Sequence, residues 1–285
     1  EFLDCARESG VSPSIMGFGS VRGLSQFTAN EIAEMGFDII WTAFEGANSG
    51  YKKLRGAKLD HLYRDLKSRG VAILTSMIIG FPYQDQKKVQ SEFKLLMDLA
   101  PDLWQILIYF AFPGTPLYKK VLAEERYLSA YRNRPDYRKF DGFSMHFKHE
   151  HFEPEEIEHC QQALYRKAFE TLGPSLVRVM KTWFEGYHTM KSSSRPLLRQ
   201  RAERMRGYVQ SALPAIYPAI WFGPNRQRRA EARQFLDDTI KEFGSLSFKK
   251  RLECWGTLPL SFWTWMTESL GLFQQPRLFR REYRV

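Results

Sequence analysis

Apolar and polar positions follow two rhythms along this chain, and the change falls near residue 125. Between residues 70 and 118, two near-continuous apolar runs, 71 to 79 and 104 to 112, each close in a Gly/Pro turn: Gly80-Phe81-Pro82 and Pro113-Gly114-Thr115-Pro116. Between them Val89, Phe93, Leu96, Met97 and Ala100 recur at helical spacing. Strand, amphipathic helix, strand is the pattern of a parallel crossover in a sheet covered on both faces. The same alternation runs upstream. Residues 2 to 10 read as the end of a helix with Gly10 as its cap, and 14 to 20 as a strand. Thr28-Ala29-Asn30-Glu31 is a capping box for a helix that stops at Gly36. Residues 37 to 44 read as a strand, 51 to 54 as a helical turn, and 58 to 69 as a helix with Leu59, Leu62, Tyr63 and Leu66 on one face. Strand starts at Ser14, Phe37, Val71 and Trp104 alternate with helices, which predicts an α/β fold: a partial (βα) barrel of about four parallel βα units.

Beyond residue 125 the strand signal fades. Residues 126 to 151 read as polar loop, with a turn at Asp141-Gly142 and a short strand or hairpin arm over 143 to 151. Helices are predicted at 155 to 171, 175 to 190, 196 to 212, 227 to 243 and 259 to 270. The predicted division is a partial barrel over 1–125 and a mainly α-helical domain over 126–285.

Charge sharpens that division. Through residue 125 there are 14 Lys and Arg against 15 Asp and Glu; beyond it, 28 against 17. The chain's net charge of +10 therefore sits in the helical half, which points to an anionic partner by charge alone. No apolar run approaches the ~18 residues of a membrane span, and no basic-then-apolar leader is present, so a soluble cytoplasmic protein is expected. Cys5, Cys160 and Cys254 lie far apart with no CxxC or CxxxCxxC spacing. Three free, mostly buried thiols are expected, and no metal site.

In such a sheet ligands meet the carboxyl ends of the strands, and both Gly/Pro turns lie there. Glu45 closes the strand at 37 to 44; Gly46 and Ala47 after it let a ligand approach the backbone. A carboxylate there accepts hydrogen bonds from ribose hydroxyls or an amino group. Gly80 lets the backbone pass close to a flat ring. Arg22, past the first strand, offers a fork for a carboxylate.

Ile78-Ile79-Gly80-Phe81-Pro82 and Phe112-Pro113-Gly114-Thr115-Pro116-Leu117-Tyr118 resemble the fifth- and sixth-strand signatures of radical SAM enzymes. Ile40-Trp41-Thr42-Ala43-Phe44-Glu45-Gly46-Ala47 resembles the fourth-strand signature. The resemblance covers about residues 10 to 125. It implies S-adenosylmethionine as cofactor, with Glu45, Gly46, Ile79, Gly80, Pro82, Phe112 and Pro113 around the nucleoside and Arg22 toward the methionine carboxylate. It also implies a 4Fe-4S cluster, whose CxxxCxxC motif is absent here. The chain is thus expected to be a carboxyl-terminal portion, inactive alone, whose ligands for the cluster lie in a missing amino-terminal region. Tyr83-Gln84-Asp85 stands where many family members have Gly-Glu-Thr, leaving helix capping to Asp85. No catalytic acid or base is assigned.

Leu172-Gly173-Pro174-Ser175, Trp183-Phe184-Glu185-Gly186-Tyr187 and Arg195 to Glu203 resemble the helical tail of the cobalamin-binding type of these proteins, which implies cobalamin in a full-length parent. Two residue clusters stand outside that resemblance. His146, His149 and His151 invite a metal reading, but a fourth ligand is missing and Lys148 opposes a cation. Arginines at 195, 199, 201, 204 and 206, and at 226, 228, 229 and 233, make basic helices. A small-molecule or lipid-like substrate is expected. The alternatives are RNA, for a methylase or methylthiotransferase of this family, and a non-catalytic module that docks on anionic lipid or a protein.

Overall fold

The structure, a computed structural model, describes residues 1–45, 59–129 and 140–272. The expected turn at 51 to 54 lies outside the described residues, as do Gly46 and Ala47.

The chain opens with α1 (Phe2–Ser9), β1 (Ile15–Phe18), α2 (Val21–Leu24), α3 (Ala29–Glu34) and β2 (Phe37–Glu45). Next come α4 (Leu59–Ser68), β3 (Ala72–Ile79), α5 (Gln86–Asp98), β4 (Leu103–Ile108) and α6 (Pro116–Ala123). The four strands form one parallel sheet in the order β1-β2-β3-β4, the partial βα repeat that the alternation predicts. Local signals set the boundaries. Gly10 caps α1 at φ 68°, Thr28 and Glu31 close the capping box of α3, and Asp85 accepts from Lys88 N at the start of α5.

The mainly helical region holds α7 (Pro154–Leu172), α8 (Ser175–Met190), α9 (Pro196–Ala212), a 3-10 turn (Leu213–Ala215), α10 (Ile216–Phe222), α11 (Arg226–Phe243) and α12 (Phe248–Ser269). The expected arm over 143 to 151 amounts to one antiparallel bridge, Tyr127 to Phe147. The helices α2, α6 and α10 fall where no helix is predicted. The last helix starts at Phe248, eleven residues before Pro259. Ser247 caps it by accepting from Lys250 N, and Pro259 lies inside it. A proline costs an interior hydrogen bond but does not always end a helix.

Strand residues alternate between two environments. Ile40, Thr42 and Phe44 on β2, Ile73, Thr75, Met77 and Ile79 on β3, and Ile106 and Ile108 on β4 are buried. Trp41, Ala43, Leu74, Ser76, Ile78, Gln105 and Leu107 face the other way and are half-exposed. The expectation of cover on both faces therefore fails toward β1, where Met16 and Phe18 are 56% and 80% exposed. At the opposite edge α7 takes up the backbone of β4: Tyr165 Oη accepts from Ile106 N at 2.9 Å, and Gln161 Nε2 donates to Ile106 O at 2.7 Å. The core runs on through residue 125, since Tyr127, Met145, Phe147, Ile157 and Leu164 pack in one cluster with Met77, Phe93 and Ile106.

Helices α8 and α9 grip the amino ends of the strands. Arg201 is fully buried and pairs with Asp38 at 2.8 Å; it also donates to Phe37 O and Gly70 O. Burial pulls its pKa down to about 10, against the pull of Asp38 in the other direction. Arg178 donates to Pro101 O and Asp102 O and lies 4.2 Å over the Trp104 ring. Asp102 in turn accepts from Ile73 N and Thr182 and pairs with Lys67 at 3.1 Å. With the amino ends closed in this way, the carboxyl ends carry the candidate site.

Candidate functional site

The parallel order puts the ends of β2, β3 and β4 side by side on one rim. Glu45 lies across from Met77 after a register shift that follows Ala43. Ile79 pairs with Ile108, and Tyr109 N continues the ladder to Ile79 O at 2.7 Å. Phe112 and Pro113 follow after Tyr109, Phe110 and Ala111. The carboxyl ends of the three strands are thus neighbours. For Glu45 the structure describes the backbone; Gly46 lies outside the described residues.

The turn after β3 is fixed by the protein itself. Gly80 has φ 87°, and a Cβ there would stand 2.7 Å from Ile157 Cδ1 and 3.3 Å from Met145 Cε. The glycine is required by its backbone conformation and by contact with α7. Phe81 N donates to Gln84 Oε1 at 2.9 Å, while Gln84 Nε2 and Tyr83 Oη both donate to buried Glu92. Tyr83-Gln84-Asp85 therefore supplies a clamp to α5 together with its cap. His149 Nδ1 accepts from His151 N at 3.0 Å and Nε2 reaches Phe81 O at 3.1 Å, which sets the Nε2–H tautomer. Burial of that ring lowers its pKa.

The expected site residues divide. The side chain of Ile79 points into the core, fully buried, and Ile78 takes its place on the open face. Alternation along the strand thus leaves the backbone of Ile79, not its side chain, at the rim. Pro82 is exposed and Pro113 half-exposed. Phe112 is half-exposed, with its ring near Phe110 (5.9 Å) and Phe140 (6.4 Å). Arg22 projects from α2, just past β1, and is exposed.

On the open face of β1, β2 and β3, at the start of α2, lies a cleft of about 340 Å³, lined by Phe18, Gly19, Ser20, Val21, Trp41, Ala43 and Ser76; none of the predicted site residues lines it. Phe18 stacks on Trp41 at 4.7 Å between ring centroids, forming an aromatic wall, and small side chains form the floor. The sequence reading missed Phe18, Trp41 and Ser76. The signal was present: Trp41 and Ala43 alternate on one face of the strand that ends at Glu45. A wider cleft of about 560 Å³, lined in part by Gln161, Tyr165 and Glu268, lies between α7 and α12, away from the strand ends.

The three cysteines stand on three separate elements. Cys5 is exposed on α1, Cys160 half-buried on α7 and Cys254 buried on α12. Burial raises the pKa of the latter two, which disfavours the thiolate a metal needs. Among the described residues no group of three His, Cys, Asp or Glu converges as a metal site. His146 stacks on Phe140 at 4.3 Å while His149 turns to Phe81. The arginines of the basic helices are partly engaged within the fold: buried Arg201 pairs with Asp38, exposed Arg195 with Glu34, and Arg228 with Glu231 on its own helix, and Arg204 donates to Ser12 O at 2.6 Å.

No model of a known protein family matches the chain. It is 25% identical over 199 residues, 68% of its own length, to an uncharacterized methyltransferase of Pyrococcus horikoshii. The chain spans 41% of that relative's length.

Proposed function

We propose that this chain is the carboxyl-terminal portion of a radical SAM enzyme, with the nucleoside of S-adenosylmethionine held at the rim of β2, β3 and β4. The observation that carries this reading is the meeting of three separate sequence signatures on adjacent strand ends. Glu45 and Gly46 would serve the ribose or amino group, the backbone at Ile79 and Gly80 the adenine edge, and Phe112 and Pro113 its apolar face. Arg22 would face the methionine carboxylate. The methyltransferase relative favours S-adenosylmethionine use, with methyl transfer as the reaction class. The cluster, and cobalamin where the parent polypeptide uses it, would be held by residues outside this chain.

The test is equilibrium binding of S-adenosylmethionine to the parent polypeptide, with Glu45→Gln and Phe112→Ala beside it. Each substitution removes one contact, and a loss of about tenfold in affinity is expected. Unchanged affinity in both variants would reject the rim as the site. Product analysis then separates the chemistries: S-adenosylhomocysteine reports methyl transfer, and 5′-deoxyadenosine reports cleavage of the cofactor.

A further inference from the structure

Helix α12 carries an apolar surface that the fold does not use. It meets the body through Cys254 and the half-buried Thr257, Leu258 and Ser261, and Thr257 Oγ1 donates to Pro214 O at 3.2 Å. On its other side Phe248, Leu252, Trp255, Pro259 and Phe262 recur at steps of three and four, with Trp263 next to them. Phe248, Leu252, Trp255, Phe262 and Trp263 are 83, 64, 57, 51 and 61% exposed. From Phe248 to Trp263 this stripe extends about 24 Å along the surface; Tyr217 meets Trp255 and Phe222 meets Phe262 along one border, and the rest is open among the described residues. Solvent-exposed apolar patches of that extent mark interaction sites.

We infer that this face of α12 lies on an anionic lipid bilayer, parallel to its plane. Two observations select that occupant. The first is composition. A seam that packs against a second helix needs aliphatic knobs of regular shape, whereas this stripe has a proline at its middle and tryptophan on both sides. Tryptophan and phenylalanine suit the boundary between headgroups and acyl chains, where the rings bury while the indole N–H keeps a polar partner. The second is charge. Lys249 and Arg251 flank the start of the stripe, exposed, with no ion-pair partner among the described residues. On the adjoining α10 and α11, Trp221, Arg226 and Arg229 are also exposed, and Phe222 beside Trp221 touches Phe262 and Trp265. No helix among the described residues is long and apolar enough to cross a membrane, so α12 is read as lying on the bilayer. The inference is independent of the S-adenosylmethionine site at the sheet rim.

The experiment is co-sedimentation of the whole chain with vesicles of phosphatidylcholine alone and of phosphatidylcholine with phosphatidylglycerol, following tryptophan emission. Binding to the anionic vesicles with a blue shift is expected. Phe248→Ser/Leu252→Ser/Trp263→Ser, all exposed positions, should abolish both without changing the far-ultraviolet dichroism. Lys249→Glu/Arg251→Glu should weaken anionic-vesicle binding by about tenfold or more. Failure to bind anionic vesicles at 0.1 M salt (a salt level with a Debye length of about 10 Å) would overturn the proposal. So would binding that the triple variant retains. A dimer in sedimentation velocity that the triple variant abolishes, without vesicle binding, would assign the face to a second copy instead.

Discussion

At the scale of single residues, the arginine run at 195 to 206 shows how far charge alone misleads. Arg201 has no exposed surface and sits between Asp38, Phe37 O and Gly70 O. Asp38 also accepts from Tyr208 at 3.2 Å and from Ser14. A buried pair is weak evidence of net stabilisation, since desolvation offsets most of the attraction, but removal of one partner leaves a charge uncompensated. Arg201→Met is expected to cost about 3–5 kcal/mol in urea unfolding. Arg201→Met/Asp38→Asn should cost clearly less than the sum of the two single changes, because neither charge is then stranded. Additive costs would show that the residues do not act as a pair. None of this was legible beforehand, because helical spacing assigns Arg201 to a basic face and cannot say which turn of that face meets a strand end.

At the scale of elements, local chemistry was legible and cover was not. The capping box of α3, the Asp85 cap, the glycine stops and the four strands all follow from residues close in sequence, and the structure has them. What packs over a strand or a glycine depends on residues a hundred positions away. Gly186, mid-helix in α8, is the clearest instance. Helix propensity favours alanine there by about 1 kcal/mol. Yet a Cβ on Gly186 would stand 2.4 Å from Gly70 Cα and 2.9 Å from Met205 Sδ, where α8 crosses the turn into β3. Gly70 itself has φ 68° and is hemmed in by the same methionine. The clash is with backbone, so it is not relieved by a side-chain rotation. Gly186→Ala is therefore expected to destabilise by about 1–3 kcal/mol, a sign opposite to propensity, read from the midpoint of chemical denaturation. The same logic explains Ile79 and Ile78. The rim could be located from the turns, but the face each residue shows follows from what covers the sheet.

At the scale of the whole molecule, the two ends and two edges of the sheet are treated differently. The amino ends are closed by Arg178 and Arg201, and the β4 edge is occupied by Tyr165 and Gln161. The carboxyl rim and β1 are left accessible among the described residues. β1 pairs with β2 on one side only, and its open-face residues Met16 and Phe18 are exposed. An exposed apolar edge strand offers unpaired N–H and C=O groups to any other strand. A parallel sheet ordinarily has both faces covered. This chain by itself is therefore expected to self-associate through β1. Lysine on an edge strand opposes such pairing, because association would bury its charge. Met16→Lys/Phe18→Lys should lower the weight-average mass in sedimentation velocity at micromolar concentration while leaving the melting midpoint within a few degrees. The Phe248→Ser/Leu252→Ser/Trp263→Ser variant should leave that mass unchanged, since its substitutions lie on α12. If the lysine variant associates as the parent chain does, the β1 edge is not the contact. If only the α12 variant dissociates, the exposed helix face and not the sheet governs assembly.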